Sequence, residues 1–449
     1  MPEIPIPAGL STKRCLLGTN ILAEVSHALQ EHWPGQEVIL IADENTWAAA
    51  GKEVEQLLLA DRSRMAAPVI FPAQPMLHAD YKYVEQLRTQ LQGRVPVAIG
   101  SGTINDLVKR ASFEAETGGY LCVATAASVD GYTSAGAALT VDGFKQTMPC
   151  GAPLVILADN AVLAKAPPEM AAAGYADLAA KVVAGADWLV ADQLGCDPLD
   201  AVAWDMVQKH LREWLSDPEG VLSGKSTAME DLFTGLAYTG FSMQYYTKSS
   251  RPASGAEHMM SHIWEMRGLK CKGQEVSHGF KVALGTLIVA ALYEEMGKIS
   301  AAELSELLAQ QPLMSSAERQ AEVERELGGT PFYQNASAIS QEKLLTGDAL
   351  LQRRQLILQA WPEMQQKIAR QLIPFTELQR RFRIVRCPVE PAEIGLSRAA
   401  MLNGILAAGM IRNRYSILDL LAETGLRDRV LQSVLTGGYF SQYLDERTR

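Results

Sequence analysis

The chain has 449 residues, 48% of them apolar and 20% charged. That is an ordinary globular composition and excludes a collagen-like, coiled-coil or disordered polymer. At roughly 100–200 residues per domain it allows two or three domains. Lys and Arg number 41 against 51 Asp and Glu, a net charge of −10. A chain this acidic, with no long basic run, lacks the stripe that neutralises phosphates, so no nucleic-acid partner is expected.

The first fifteen residues, MPEIPIPAGLSTKRC, hold no basic segment followed by an apolar core, so no secretory signal is read there. The most apolar stretch, Val282 to Leu292, is shorter than the ~20 residues a bilayer needs. The six cysteines are scattered and form no CxxC pair, which predicts reduced thiols in a cytoplasmic protein rather than a disulfide framework.

Short apolar runs at 37–43, 95–100, 120–124 and 154–159 predict buried parallel strands. Helical patterns at 20–31 and 81–91 lie between them, which is a βαβ signature. Ala138–Val141 and Phe144–Thr147 flank Asp142-Gly143, a hairpin signal. After Pro167-Pro168 the composition turns Ala-, Leu-, Gln- and Glu-rich with helical spacing and no strand runs. Ser300…Glu303 and Ser315…Glu318 match capping boxes. The expected organisation is an α/β domain over residues 1–165 and an all-α domain over 166–449. Pro362 and Pro374 are expected to break or kink the charged 340–379 stretch, which is read as an exposed helix pair.

Gly100-Ser101-Gly102-Thr103-Ile104-Asn105-Asp106 stands at a strand-to-helix turn. Glycines there let backbone N–H groups approach a phosphate. The run misses the full dinucleotide fingerprint, and the acid-ended strand at Asp43 precedes it instead of following by ~20 residues. Thr125 to Ser134, TAASVDGYTS, is a hydroxyl-rich loop with one acid, Asp130, suited to cofactor or substrate hydroxyls. Three of seven histidines, His258, His262 and His278, fall within 21 residues. His258 and His262 share a helix face and together can hold a metal. HMMSH lacks the glutamate of HExxH, which excludes the metalloprotease motif. An anionic ligand would come from Asp177, Asp187, Glu257 or Glu265, and spacing does not choose among them.

Asp43 after a strand, GSGTIND, TAASVDGYTS, GYADLAAK, RPASGAEHMMSH and SHGFKVALGT occur in one order. The set resembles the sn-glycerol-1-phosphate dehydrogenases of the iron-containing alcohol dehydrogenase superfamily, relatives of glycerol dehydrogenase and dehydroquinate synthase. The segments at 388–396 and 411–419 look like the bacterial branch. The resemblance implies a dehydroquinate-synthase-like fold, an N-terminal nucleotide-binding α/β domain followed by a helical one. It implies NAD(P), with Asp43 on the adenosine ribose and Gly100, Gly102, Thr103, Ile104, Asn105 and Asp106 along the pyrophosphate. Thr125, Ser128 and Ser134 would lie nearer the nicotinamide. Asp177, His258 and His278 would hold one divalent metal, Zn, Ni or Fe. Asp130, Asp177 and His262 would meet the substrate.

The implied reaction interconverts sn-glycerol 1-phosphate and dihydroxyacetone phosphate by hydride transfer in phospholipid metabolism. A polyol dehydrogenase without phosphate recognition and a dehydroquinate-synthase-like lyase are the alternatives on this fold, and a non-catalytic sensor is a third. Arg251, Lys145 and Lys281 are candidates for the substrate phosphate. A small polyol phosphate is the expected partner, with no membrane and a homodimer or higher homo-oligomer. The acidic, amide-rich stretch at 315–379 is longer than the family core requires.

Overall fold

The interior strands of the first third are buried on both sides, which is why they read as continuous apolar runs rather than alternating ones. The computed structural model describes residues 3–141 and 144–440, the side chains of Phe144 and Lys145 excepted. Among the described residues up to 159 there are eight strands: β1 Arg14–Gly18, β2 Glu37–Asp43, β3 Val69–Phe71, β4 Arg94–Gly100, β5 Leu121–Ala124, β6 Ala137–Val141, β7 Phe144–Met148 and β8 Val155–Asp159. Six form one parallel sheet in the order β1-β8-β5-β4-β2-β3. The four strands expected from the sequence are its interior members. β1 and β3 close its two edges, where fewer apolar positions are needed. Val38, Leu40, Val95, Val97, Leu121, Val123, Val155 and Leu157 make the core with Val25, Leu29, Val54 and Leu58 from helices.

β6 and β7 pair antiparallel as expected, and Asp142-Gly143 between them lies outside the described residues. The first helix is Glu24–His32, later than the expected start at Asn20. The Asp159 carboxylate at the end of β8 holds the Asn20 and Ile21 N–H groups in a turn, at 2.9 and 2.6 Å. The 81–91 expectation matches the helix Tyr81–Gln90.

From Pro168 the chain is helical, beginning with the 26-residue helix Pro168–Gln193. One strand pair is added to the expected pattern, β9 Lys270–Cys271 with β10 Gln274–Glu275, turning at Lys272 and Gly273 with positive φ. Of the break or kink expected at Pro362, the break does not occur: one helix runs Gly347–Gln371 through it. Nor is this helix merely an exposed face, since it buries Leu350, Ile357, Trp361, Met364 and Ile368. Trp361, fully buried, donates its indole N–H to the Ile299 carbonyl at 2.9 Å. Packing of that face outweighs the backbone bond that proline removes. Pro374 does end the run, and the next helix is Phe375–Ile384. Ser315 and Glu318 form the reciprocal capping box, and Ser300 caps through the Glu303 N–H.

The chain divides into two compact units, Met1–Leu178 with Val202–Ala253, and Ala179–Ala201 with Ser254–Arg449. The division falls inside the unbroken Pro168–Gln193 helix. All six cysteines are free, and Cys15, Cys122, Cys150 and Cys387 are buried. No helix among the described residues is long and apolar enough to cross a membrane.

Candidate active site

β4 ends at Gly100, and Ser101 stands at the N-cap position of the helix Gly102–Glu114 without a side-chain cap bond. A Cβ on Gly100 would lie 2.5 Å from that of Ile104, so only glycine permits this tight turn. Gly102, Thr103 and Ile104 begin the helix, where the amide groups have no intrahelical partner. The Asn105 N–H already bonds Ser101 O at 3.0 Å. The Asn105 side chain, 1% exposed, is also occupied: its carbonyl accepts from Tyr120 Oη at 2.8 Å and its amide reaches Gly131 O at 3.4 Å. Ile104 is likewise buried. Asp106 accepts the Ala138 N–H at 3.2 Å and so ties this helix to β6. Asp43, at the end of β2, caps the following helix by accepting the Thr46 N–H at 2.8 Å.

The Thr125–Ser134 loop is a fixed structure rather than a pliant surface loop. Thr125, Ser128 and Ser134 are each less than a tenth exposed. Thr125 N–H bonds Gly100 O at 3.1 Å, and the Ser101 and Ser128 hydroxyls lie 2.6 Å apart. Lys109 is a residue that sequence reasoning missed. It is 1% exposed and spends its ammonium on Gly131 O, Ser134 Oγ and Gly136 O at 2.7, 3.3 and 3.1 Å. No sequence signal marked it, because a lysine inside an amphipathic helix reads as solvated. Two close backbone approaches hold the same loop. A Cβ on Gly174 would meet Ala127 O at 2.0 Å, and one on Gly240 would meet Thr133 Oγ1 at 1.9 Å. Asp130 donates its N–H to Asp177 Oδ2 at 3.0 Å.

Asp177, His258 and His278 each offer one ligand atom, and these atoms all lie within 4.8 Å of one another. Asp177 is 1% exposed and His258 7% exposed. Asp177 stands on the Pro168–Gln193 helix, one residue before the division between the units; that helix runs through it unbroken. His258 and His262 stand on the helix Ala256–Met266, and His278 starts the helix His278–Gly297, capped by Ser277. The ring centroids of His258, His262 and His278 are 5.5 to 6.5 Å apart.

The other three acids are engaged elsewhere. Asp187 accepts from the Ala256 and Ile417 N–H groups at 2.8 and 2.9 Å and from Tyr293 Oη at 2.6 Å. Glu257 Oε1 lies 2.7 Å from His258 Nδ1, and Glu265 Oε1 lies 2.9 Å from His278 Nδ1. Burial pushes the Glu257 carboxyl up, but the hydrogen bonds from His258 and the Gly255 N–H outweigh it and hold it below the usual value. One carboxylate and two imidazoles suit Zn²⁺, Ni²⁺ or Fe²⁺ while leaving positions for water or substrate.

Of the expected phosphate-binding cations, Arg251 is fully buried and Lys281 is 6% exposed. Lys281 Nζ bonds Val276 O at 2.8 Å and pairs with Glu265 at 3.2 Å. The Lys145 side chain lies outside the described residues.

A family model described as iron-containing alcohol dehydrogenase matches residues 16–167. A glycerol-1-phosphate dehydrogenase (NAD(P)+) of Bacillus licheniformis is 30% identical over 357 residues, covering 77% of this chain and 86% of its own. Its counterpart in Halalkalibacterium halodurans is 35% identical over 261 residues, covering 57% and 65%. The crystal structure of maleylacetate reductase from a Rhizobium species aligns with a TM-score of 0.59 at 14% identity, over 96% of this chain and 97% of that one. At that identity the last likeness concerns the fold alone.

Proposed function

Because this chain belongs to the glycerol-1-phosphate dehydrogenase family, among the iron-containing alcohol dehydrogenases, we propose that it interconverts sn-glycerol 1-phosphate and dihydroxyacetone phosphate with NAD(P) and one divalent metal. The observation that carries the reading is the meeting of Asp177, His258 and His278. These three residues would hold the ion. When bound, the ion supplies a Lewis acid that favours the C2 alkoxide in one direction and the polarised ketone in the other. NAD(P) supplies the hydride carrier.

The remaining work falls to the chain. The Asp43 carboxylate accepts the ribose hydroxyls. The N–H groups of Gly102, Thr103 and Ile104 face the pyrophosphate from a helix start, where the macrodipole favours negative charge. Gly100 makes the turn that lets them approach. Asn105 and Asp106 act as struts that fix this turn to the 125–134 loop and β6. Thr125, Ser128 and Ser134 line the nicotinamide end. Asp130 meets the substrate hydroxyls, and its N–H steadies Asp177. His262 is assigned to the substrate, not the ion. With its Nδ1 3.5 Å from Glu265, its Nε2 is the atom that gives or takes the proton of the C2 oxygen.

The burial of Arg251 and Lys281 favours one second reading, a polyol dehydrogenase that needs no phosphate clamp. NADH oxidation by the purified, metal-loaded protein, with dihydroxyacetone phosphate and dihydroxyacetone side by side, separates the two. A strong preference for the phosphate, abolished by chelation, supports the first. Equal turnover of the unphosphorylated ketone overturns it while keeping the metal and hydride chemistry. NAD recycled without net NADH change points to the lyase. The reading also implies a cytoplasmic homodimer or higher homo-oligomer. Four buried free thiols suit a reducing compartment, and light scattering of the purified protein measures the assembly.

A further inference from the structure

Two of the acids that spacing offered as metal ligands stand behind histidines instead. Glu257 precedes His258 in the Ala256–Met266 helix, and its Oε1 lies 2.7 Å from His258 Nδ1. The site for this carboxylate is built. Glu257 is fully buried, and its Oε1 also accepts the Gly255 N–H at 2.8 Å. A Cβ on Gly255 would sit 2.9 Å from Glu257 Oε2, and one on Gly285 would sit 2.6 Å from the Glu257 carbonyl oxygen, so glycines at both positions leave the space it occupies. Glu265 lies two turns further along the same helix. Its Oε1 is 2.9 Å from His278 Nδ1 and 3.2 Å from Lys281 Nζ, and its Oε2 is 3.5 Å from His262 Nδ1.

An ionised carboxylate only accepts hydrogen bonds, so an imidazole nitrogen facing it must carry the proton. The neutral ring then has its lone pair on Nε2, the nitrogen on the far side. We propose that Glu257 and Glu265 are positioning residues that fix His258 and His278 as Nδ1–H tautomers with Nε2 presented to the metal, and that Glu265 sets the ring of His262 by the same means. Lys281, one turn after His278, neutralises Glu265 and holds it in register by its bond to Val276 O. The lysine thus serves the metal site's support and not a substrate phosphate. Such outer carboxylates orient the ring and raise its basicity, and losing one typically costs about 10–100-fold in metal affinity. The inference rests on the metal site proposed above, and its test is arranged to separate the two.

Each glutamate is replaced by Gln, which keeps an accepting oxygen, and by Met, which keeps the length without an acceptor. The stripped proteins are titrated with zinc against a chromophoric chelator, their thermal midpoints are compared, and the cobalt-loaded forms are recorded by visible absorption. The expected result is about 10–100-fold weaker zinc binding in Glu257→Met and Glu265→Met, a shifted cobalt spectrum, and recovery of most of the affinity in both Gln variants. Wild-type zinc affinity and cobalt spectra in the Met variants overturn the proposal. So does a Gln variant as weak as its Met counterpart, because the acceptor would then not be what matters. A wild-type chain that takes up no zinc, or a His258→Ala variant that binds zinc normally, overturns the metal site itself and this proposal with it.

Discussion

Gly174→Ala is the substitution whose consequence the structure fixes most tightly. Gly174 lies in the Pro168–Gln193 helix, three residues before Asp177. An ideal Cβ there would lie 2.0 Å from Ala127 O, 2.8 Å from the Ala127 carbonyl carbon and 3.1 Å from Ser128 Cα. Carbon–oxygen contacts settle near ~3.3 Å or more, so helix and loop must part by more than ~1 Å. The obstacle is backbone, and no rotamer change relieves it. Helix propensity alone favours alanine by ~1 kcal/mol. Overpacking costs ~1–3 kcal/mol, and a backbone clash belongs at the upper end. The net expectation is a loss of ~2 kcal/mol, a fall of roughly 2 °C in thermal midpoint for a chain of this size. The displaced loop carries Asp130, whose N–H bonds Asp177, and a shift of ~1 Å at reacting groups costs up to ~100-fold in rate. Differential scanning fluorimetry and NADH oxidation kinetics measure both effects. Gly297→Ala is the control: a Cβ there meets nothing within 4 Å, and it should be neutral or slightly stabilising. A Gly174→Ala protein with the parent midpoint and kcat refutes the reasoning.

His258→Ala and His278→Ala should each remove bound metal and activity while sparing NADH binding; His262→Ala should keep the metal and lose kcat, as elemental analysis beside steady-state kinetics will show. Asp43→Ala should raise the KM for NADH with metal content unchanged, together with ~1 kcal/mol of stability from the lost cap; an unchanged KM removes the ribose assignment. Lys109→Met leaves the Gly131 and Gly136 carbonyls without this donor, and should lower the thermal midpoint and raise the KM for NADH through a loosened loop. The Glu423 carboxyl is pushed up to about 7 from 4.5, chiefly by burial. Between those values the unfolded chain releases this proton while the folded chain keeps it, so stability falls as pH rises through that window, by on the order of 3 kcal/mol at most. Urea titrations from pH 4.5 to 8 should show the fall in the parent, and Glu423→Gln should flatten it.

The sheet was legible where burial was complete. β2, β4, β5 and β8 are interior strands and show unbroken apolar runs, whereas edge strands β1 and β3 need only a few apolar residues and carry no such run. Helix starts were displaced where a distant group holds the chain, as Asp159 holds Asn20 and Ile21. At Pro362 a local rule met a long-range one. The ring removes one backbone bond, but Trp361 beside it is buried and bonded to Ile299 O, and the helix continues. Lys109 and Gly174 were invisible because their roles depend on a loop brought alongside by the fold.

The histidines were legible as a group because three in so short a span is unusual; their division of labour was not. Spacing put four carboxylates within reach and offered no means of choosing. The choice of Asp177 proposed above rests on where the four acids stand. Asp187 is filled by two N–H groups and a tyrosine hydroxyl. Glu257 and Glu265 face Nδ1 atoms, and an oxygen that accepts from an imidazole N–H supports that ring instead of sharing a metal with it. Asp177 accepts the Asp130 N–H at 3.0 Å, and it offers a ligand atom within 4.8 Å of those of His258 and His278. A buried carboxylate must be compensated by charge or hydrogen bonds, and a divalent cation held by Asp177, His258 and His278 would supply that compensation. Removing the metal from the intact protein should therefore cost stability as well as activity, and a chelated protein with the metal-loaded thermal midpoint would show that these three side chains are not compensated by an ion.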